Sequence, residues 1–481
     1  MDKLTEITAE KFVSRLDEHG ITMQHQRGAN GTVVLAEKRC SVTTAKVLLS
    51  SRAAVELLPP LAVVSANPVL TPDGEILEHG YHDYQGGTLV TADIVIPDVP
   101  VAEAVSSIKG LHVDFNFVSP GDAARAFAAV ISPGMAVGGM FPYPPAPDYA
   151  EANESQAGKG FRHEMIRAIY ALPYKMIAKR IGGVGSLDED IGTALLDGCL
   201  FVTIDNVRGC LNSSFLESAL TNPGKHNVRV PHRPAADVDP KPVSFQISSN
   251  GLEATPDLAN RVSVIRIIKQ PPGYKYKTWP EGSLIQHVRA NRLYYLGCVY
   301  SIIRAWIAQG KPSIPCQHDR QLWAGPLNWI VQTLFGTGDL MSGHEAAKRQ
   351  MGDAGTSWLR QIALHIQEDE RFGEVFTACE LGELAVEENI RIPGINDWAE
   401  RNPLQVARRV GAILKQVFQG AGVTTHRDPL DGTEDALVLI DRIRIGRVSM
   451  KERTTVASGA HAGKVVAKPT LLYSFAPATP F

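Results

Sequence analysis

The chain has 481 residues, 44% of them hydrophobic, with 48 Lys and Arg against 51 Asp and Glu, enough for about two to four domains with buried cores. A net charge of −3 confines any nucleic-acid contact to local patches, and no run nears the ~18 apolar residues of a membrane span. The polar start Met1-Asp-Lys-Leu-Thr-Glu is not expected to be a secretory leader, and the scattered Cys40, Cys199, Cys210, Cys298, Cys316 and Cys379 form no Cys-x-x-Cys pair, which favours a reducing, cytoplasmic setting over disulfides or a zinc module.

In chain order, Ala9-Glu-Lys-Phe-Val-Ser-Arg-Leu-Asp places Phe12, Val13 and Leu16 on one helical face. Gly31-Thr-Val-Val-Leu-Ala follows as a short strand. Residues 57–99 are punctuated by Pro and Gly and read as irregular or β-containing, without catalytic residues. Asp114 and Asn116 resemble half of a two-metal site, but no second carboxylate cluster accompanies them, so a surface or capping role is expected. A helix is expected over 121–130. Residues 132–148 carry five prolines and three glycines, which suits a linker and sets the boundary of an N-terminal α+β domain, 1–148.

The next stretch, Ala152-Asn-Glu-Ser-Gln-Ala-Gly-Lys-Gly-Phe161, reads as a phosphate-binding loop. Such a loop turns consecutive backbone N–H groups toward an anion and places a lysine at the mouth of a helix. Asn153, Ser155, Gln156, Ala157, Gly158, Lys159, Gly160 and Phe161 are the candidate contacts. Gly158 permits the tight turn and Lys159 reaches the β- and γ-phosphates. Two positions depart from Gly-x-x-x-x-Gly-Lys-Ser/Thr: Asn153 replaces the first glycine and Gly160 the hydroxyl that normally holds magnesium. The plain alternative is a turn that opens a helix.

Cys199-Leu-Phe-Val-Thr-Ile-Asp-Asn-Val-Arg-Gly209 then describes a buried parallel strand ending in Asp205, a position suited to holding Mg²⁺ against nucleotide phosphates. Asn206 stands where a water-activating glutamate is common, so Glu217 and Glu154 are the candidate bases. Val243-Ser-Phe-Gln-Ile-Ser-Ser-Asn-Gly251 delivers Asn250, whose amide could hold the attacking water. Arg261 ends the short helix after it, placed to act in a neighbouring subunit's site. Their bland readings are a turn residue before Gly251 and a surface ion pair.

Lysine, 46 residues, aspartate, 45 residues, asparagine, 11 residues, arginine: this layout resembles that of AAA+ ATPases, and its compact spacing is similar to the superfamily 3 and minichromosome-maintenance side of that group. Ser248-Ser-Asn-Gly-Leu-Glu-Ala-Thr-Pro-Asp-Leu-Ala-Asn-Arg261 looks like the sensor and arginine-finger region of phage- and plasmid-encoded primase-helicases. Leu58-Pro-Pro through Asp83-Tyr and the Gly-Lys-Gly loop look like theirs too. The resemblance implies ATP and Mg²⁺ as cofactors and a homo-hexameric ring moving along single-stranded or forked DNA. It also implies a DNA-gripping hairpin before the asparagine strand. Here Lys225, His226, Arg229, His232 and Arg233 supply its charge, although a solvated basic loop is an equal reading. A primase zinc ribbon is missing.

The implied core spans 149–280 and an α-helical lid 281–367, with helices expected over 283–311 and 319–335 and a second sensor arginine among Arg289, Arg292 and Arg320. Residues 368–481 open with a capping box, Thr377-Ala-Cys-Glu380, and a capped helix at Asn402-Pro403. Val406, Val410, Ile413, Leu414 and Val417 face one side of that helix, and Arg408, Arg409 and Lys415 the other. Strands follow, the order of a winged helix. Over 401–481, twelve Lys and Arg stand against six Asp and Glu, which favours a DNA-facing module over a protein-binding one.

The expectation is therefore an α/β protein: an AAA+ P-loop core with α-helical lid, N-terminal α+β domain and C-terminal winged helix, acting as a cytoplasmic, ATP-dependent DNA helicase of a mobile element. A nucleotide-gated DNA-binding initiator without unwinding activity is the alternative, and an AAA+ remodeller of proteins is a third reading.

Overall fold

The computed structural model describes residues 7–20, 22–27, 32–152, 156–178, 186–211, 213–230, 235–345, 347–348, 354–388, 390, 392–395, 402–419, 423–427, 434–440, 443–455 and 465–477. At its centre lies a six-stranded sheet in the order Tyr174–Ala178, Phe201–Leu211, Ser244–Ala254, Asp148–Ala152, Ser263–Ile268, Asn116–Phe117. The first five strands are parallel, and the two-residue edge strand is antiparallel. Parallel strands are covered on both faces and so read as near-continuous apolar runs. Tyr149, Val202, Ile204, Phe245, Ile247 and Val264 are all inaccessible.

The helix Lys159–Tyr170 crosses one face and is fastened by charge. Arg162 pairs with Asp148 inside the core. Arg167 donates to Gln246 Oε1 at 2.7 Å and Thr203 Oγ1 at 2.9 Å. The helix Pro120–Val137 lies against the other end of the sheet, where buried Arg125 donates to Asp122, Val264 O, Leu340 O and Ser342 O. With its donors spent on a carboxylate and three carbonyls, the guanidinium can tolerate removal from water.

That helix corrects the sequence reading, which ended it at Val130 and began a linker at Ser132. Pro133 cannot donate to the preceding turn, yet the helix continues to Val137. The Tyr170 hydroxyl donates to Val130 O at 2.6 Å and accepts from Gly134 N at 2.9 Å, bridging one step of the ladder beside the proline. The cut expected near residue 148 runs through a shared core. Val63, Leu70, Val105, Ile131 and Met135 cluster there with Ile166, Phe201, Val299, Ile303 and Trp323.

Residues 57–99 are β-containing as read, with a small sheet of Val63–Ser65, Thr88–Val90 and Gly80–His82. Tyr84 and Gln85 donate from it to Gly138 O and Val137 O, each at 2.8 Å. The hairpin Met23–Arg27 with Val33–Glu37 is largely exposed. The expected long helix at 283–311 is two, Leu284–Ala290 and Arg292–Ala308, broken at Asn291. With Gln321–Thr333 they pack into the same core as Pro120–Val137.

A second core unites the helices Ala354–Glu368, Ala378–Glu387 and Pro403–Val417 with a five-stranded antiparallel sheet. The first of these helices crosses the division expected at 367/368, because Trp358, Leu359 and Ile362 belong to this core. Thr377 with Glu380 forms a complete capping box, and Asn402 caps Pro403–Val417. Val406, Val410, Ile413, Leu414 and Val417 are buried and Arg408, Arg409 and Lys415 exposed. Burying such side chains contributes roughly 1.5–3 kcal/mol each. A Cβ on Gly382 would stand 2.5 Å from Val406 Cγ1, so Gly382 lets the two helices touch. Among the described residues no helix is long and apolar enough to cross a membrane.

Candidate functional site

The strand Asp148–Ala152 leads into the glycine loop, of which Asn153, Glu154 and Ser155 lie outside the described residues. Gln156 (φ 61°) and Gly158 (φ 99°) both take left-handed conformations, and the helix begins at Lys159. Gly158 is required twice over, by its φ and by space: a Cβ would meet the Phe115 ring at 3.2 Å. At Gly160 a Cβ would meet nothing within 4 Å, so the missing hydroxyl is a chemical difference and not a steric one. The first N–H groups of Lys159–Tyr170 open toward the cleft, where the helix dipole favours an anion.

Strand order brings the second group in. Ser244–Ala254 lies between the loop strand and the strand carrying Asp205, with Ser248 in register with Ala150. Ser248 Oγ donates to Asp205 Oδ1 at 2.5 Å. Gln156–Phe161, Asp205 and Ser248 line one cleft of about 730 Å³, closed opposite by Asp114, Phe115, Tyr276, Lys277 and Trp279. Asp114 caps no helix but binds an irregular stretch: its carboxylate accepts from Lys277 N at 3.1 and 3.2 Å and from the Tyr274 hydroxyl at 3.1 Å.

Lys159 is half-buried here, and burial pushes its amine down to about 8. Glu151 and Asp205 pull it back up and Arg360 adds to the fall. Glu151, next to last in the loop strand, pairs with Arg360 of the helix Ala354–Glu368. Glu151 Oε2 is buried with no hydrogen-bond partner among the described residues. Such a loop, with a lysine between two carboxylates and an open helix start, has the donor set of a phosphate site. Among the described residues no group of three His, Cys, Asp or Glu forms a metal cage. Mg²⁺ carried by phosphates needs only one or two carboxylates, and Asp205 offers one.

Of the other expected residues, none whose side chain is described lines the cleft. Asn250 and Asn206 lie in strands, with side chains outside the described groups. The strand runs on to Ala254, so Asn250 does not precede a turn. The Glu217 carboxylate accepts from Thr255 Oγ1 and does not line the cleft. Arg261 pairs with Asp257 one turn earlier. Arg289 pairs with Glu164, Arg292 donates to Asn67 Oδ1 at 2.7 Å, and Arg320 donates to Leu220 O and Pro144 O. None of these three lines the cleft.

Of the basic candidates, Lys225 is exposed beside the hairpin His226–Val228 with Ala236–Val238, whose tip, including His232 and Arg233, lies outside the described residues. Arg408 and Lys415 are exposed, and Arg409 donates to Pro393 O at 2.6 Å. Sequence reasoning missed Glu151, Ser248 and Arg360. A charge closing the apolar Tyr149-Ala150-Glu151 was the one signal available for the first, and a hydroxyl two residues before Asn250 for the second. Nothing local marks Arg360.

No family model matches the chain, and no curated protein does. Among solved structures, the A-form apo structure of the NrS-1 C-terminal region is similar over 89% of this chain and 98% of its own, at 12% identity and a TM-score of 0.34. The SCCmec type IV Cch active helicase is similar over 89% of this chain and 82% of its own, at 11% and 0.30. A JCV helicase with a bound substituted acetamide is similar over 53% of this chain and 66% of its own, at 10% and 0.26.

Proposed function

We propose that the protein is a nucleoside triphosphatase of the AAA+ class that works on DNA as a helicase or translocase in the replication of a mobile element. One observation carries the proposal. Gly158, Lys159, Asp205 and Ser248, from three separate segments, converge in one cleft beside an open helix N-terminus.

Lys159 holds the β- and γ-phosphates, the loop N–H groups from Gln156 to Phe161 cradle them, and Ser248 fixes the Asp205 carboxylate. Asp205 would hold Mg²⁺, since Gly160 offers no ligand. Bound with ATP, the metal would supply charge neutralisation at the transferred phosphoryl group. Asn250, two residues beyond Ser248, senses the γ-phosphate. Arg261 exchanges Asp257 for a neighbour's nucleotide, which makes a ring, a homo-hexamer, the working form. The hairpin with Lys225, His232 and Arg233 and the exposed Arg408, Arg409 and Lys415 are the DNA contacts. The C-terminal unit, three helices and an antiparallel sheet whose edge strand Val375–Phe376 lies between the first two helices, acts as a winged helix, and 281–333 as the lid. The setting is the cytoplasm.

ATP hydrolysis with and without single-stranded DNA, on wild type and Lys159→Ala, tests this. DNA-stimulated turnover lost in the variant is expected, and DNA-independent turnover that survives it sinks the proposal. The position of Glu217, held by Thr255 away from the cleft, favours a second reading, a nucleotide-gated DNA-binding switch. ATP-dependent strand displacement by the purified protein excludes it.

A further inference from the structure

The cleft extends beyond what a triphosphate needs. Past the loop its wall is made by Phe115, Tyr276, Lys277, Trp279 and Leu284. Most of this rim comes from the stretch between the strand Ser263–Ile268 and the helix Leu284–Ala290, a stretch with no helix or strand of its own. Asp114 pins it. Besides the carboxylate contacts described above, Asp114 O accepts from Gln270 Nε2 at 2.8 Å. The Lys277 ammonium sits 3.9 Å from the Trp279 ring centre, and Trp279 packs on His287 at 4.4 Å. Trp279 is 8% exposed, but Tyr276 is 62% exposed, its ring held at the mouth edge-on to Tyr274 at 5.0 Å.

An uncovered aromatic ring set edge-on to a second tyrosine and beside a cation, in the same cleft as a phosphate loop, suits a flat π-system. We infer that this rim is the nucleobase subsite of the cleft, and that it holds the base by stacking on Tyr276 beside Lys277 without reading its edge. The inference rests on the nucleotide reading above. Of the polar groups at the rim, the Asp114 oxygens and Gln270 Nε2 are held as described, and Ser283 Oγ accepts from Gln286 N at 3.2 Å. Stacking tolerates any base because every base has a π-face, and it is stronger for the larger purines.

The test is a set of dissociation constants for ATP, GTP, CTP and inorganic tripolyphosphate on wild type, Tyr276→Ala, Tyr276→Phe and Lys159→Ala. Wild type is expected to bind ATP and GTP within about threefold of each other and each about tenfold or more tighter than tripolyphosphate. Tyr276→Ala should bring both purine nucleotides close to tripolyphosphate without altering tripolyphosphate itself, and Tyr276→Phe should keep the wild-type order. A preference for ATP over GTP of about tenfold or more overturns the inference, and so does Tyr276→Ala with its base-dependent gain intact. Absent binding, or binding of all four ligands indifferent to Lys159→Ala, removes the nucleotide reading and this inference with it.

Discussion

Glu151 and Arg360 form a buried ion pair, 4% and 7% exposed, between the last strand before the phosphate loop and the first helix of the C-terminal core. The two residues are 209 positions apart, and both act on the charge of Lys159. The C-terminal unit thus supplies part of the electrostatic environment of the cleft.

Removing one partner of a buried pair strands the other charge and costs about 3–5 kcal/mol, whereas replacing both with apolar side chains costs far less. Arg360→Ala is therefore expected to destabilise the protein by that amount, and the double variant Glu151→Leu, Arg360→Met by much less. Denaturant unfolding of the two singles and the double measures this. A single variant within about 1 kcal/mol of wild type would mean that water reaches the pair.

The Lys159 amine, lowered to about 8 from 10.5 by burial, is charged below that pH and neutral above it. Phosphate binding needs the charge, so nucleotide affinity should be level below pH 8 and fall about tenfold per pH unit above it. An ordinary lysine would hold its charge to above pH 10. Titrating the dissociation constant from pH 7 to 9.5 shows which applies, and Lys159→Arg should abolish the slope.

Asp205→Asn keeps an acceptor for Ser248 and removes the charge. Turnover should fall by about 10²–10³ while nucleotide binding without Mg²⁺ is retained. Loss of metal-free binding as well would make Asp205 a structural group.

The cross-subunit role proposed for Arg261 can be tested apart from folding. Arg261→Ala subunits mixed with Asp205→Ala subunits should recover part of the turnover that each alone lacks, because an intact site forms at some interfaces. Recovery is read against mixtures of wild type with each variant, and its absence in co-assembled rings ends the assignment.

Burial lowers His112 and His318 to about 4 and His344 to about 2. His318 and His344 share one acceptor, Val262 O, at 3.3 and 3.1 Å. Between pH 6.5 and 4 the unfolded chain binds protons at these positions and the folded chain does not, so stability should fall as pH drops through that window. Melting temperature measured from pH 7.5 to 4.5 checks the sign, and His318→Gln should flatten the fall.

Sequence legibility followed the range of the signal. Thr377 with Glu380, and Asn402 with Pro403, announce helix starts because capping joins residues three apart. The strand that carries Asp205 is legible because a parallel strand buries both faces, but its end is not: it was expected at Asp205, and the strand shifts register there and runs on to Leu211. Ser132–Val137 was misread because the tyrosine that repairs the ladder beside Pro133 stands at position 170. The long helix at 283–311 was expected whole, but it breaks at Asn291.

By itself the sequence determined the local chemistry: a left-handed glycine before a lysine, an apolar strand carrying a carboxylate, and a helix with five aliphatic residues on one face and three cations on the other. These depend on neighbours within one or two turns of chain. Only the tertiary structure decided which groups meet. Strand order put Ser248 against Asp205, packing of the last core carried Arg360 to Glu151, and Thr255 drew Glu217 out of the cleft. Such contacts arise where distant segments share burial, and a buried charge takes whatever partner the packing leaves within reach.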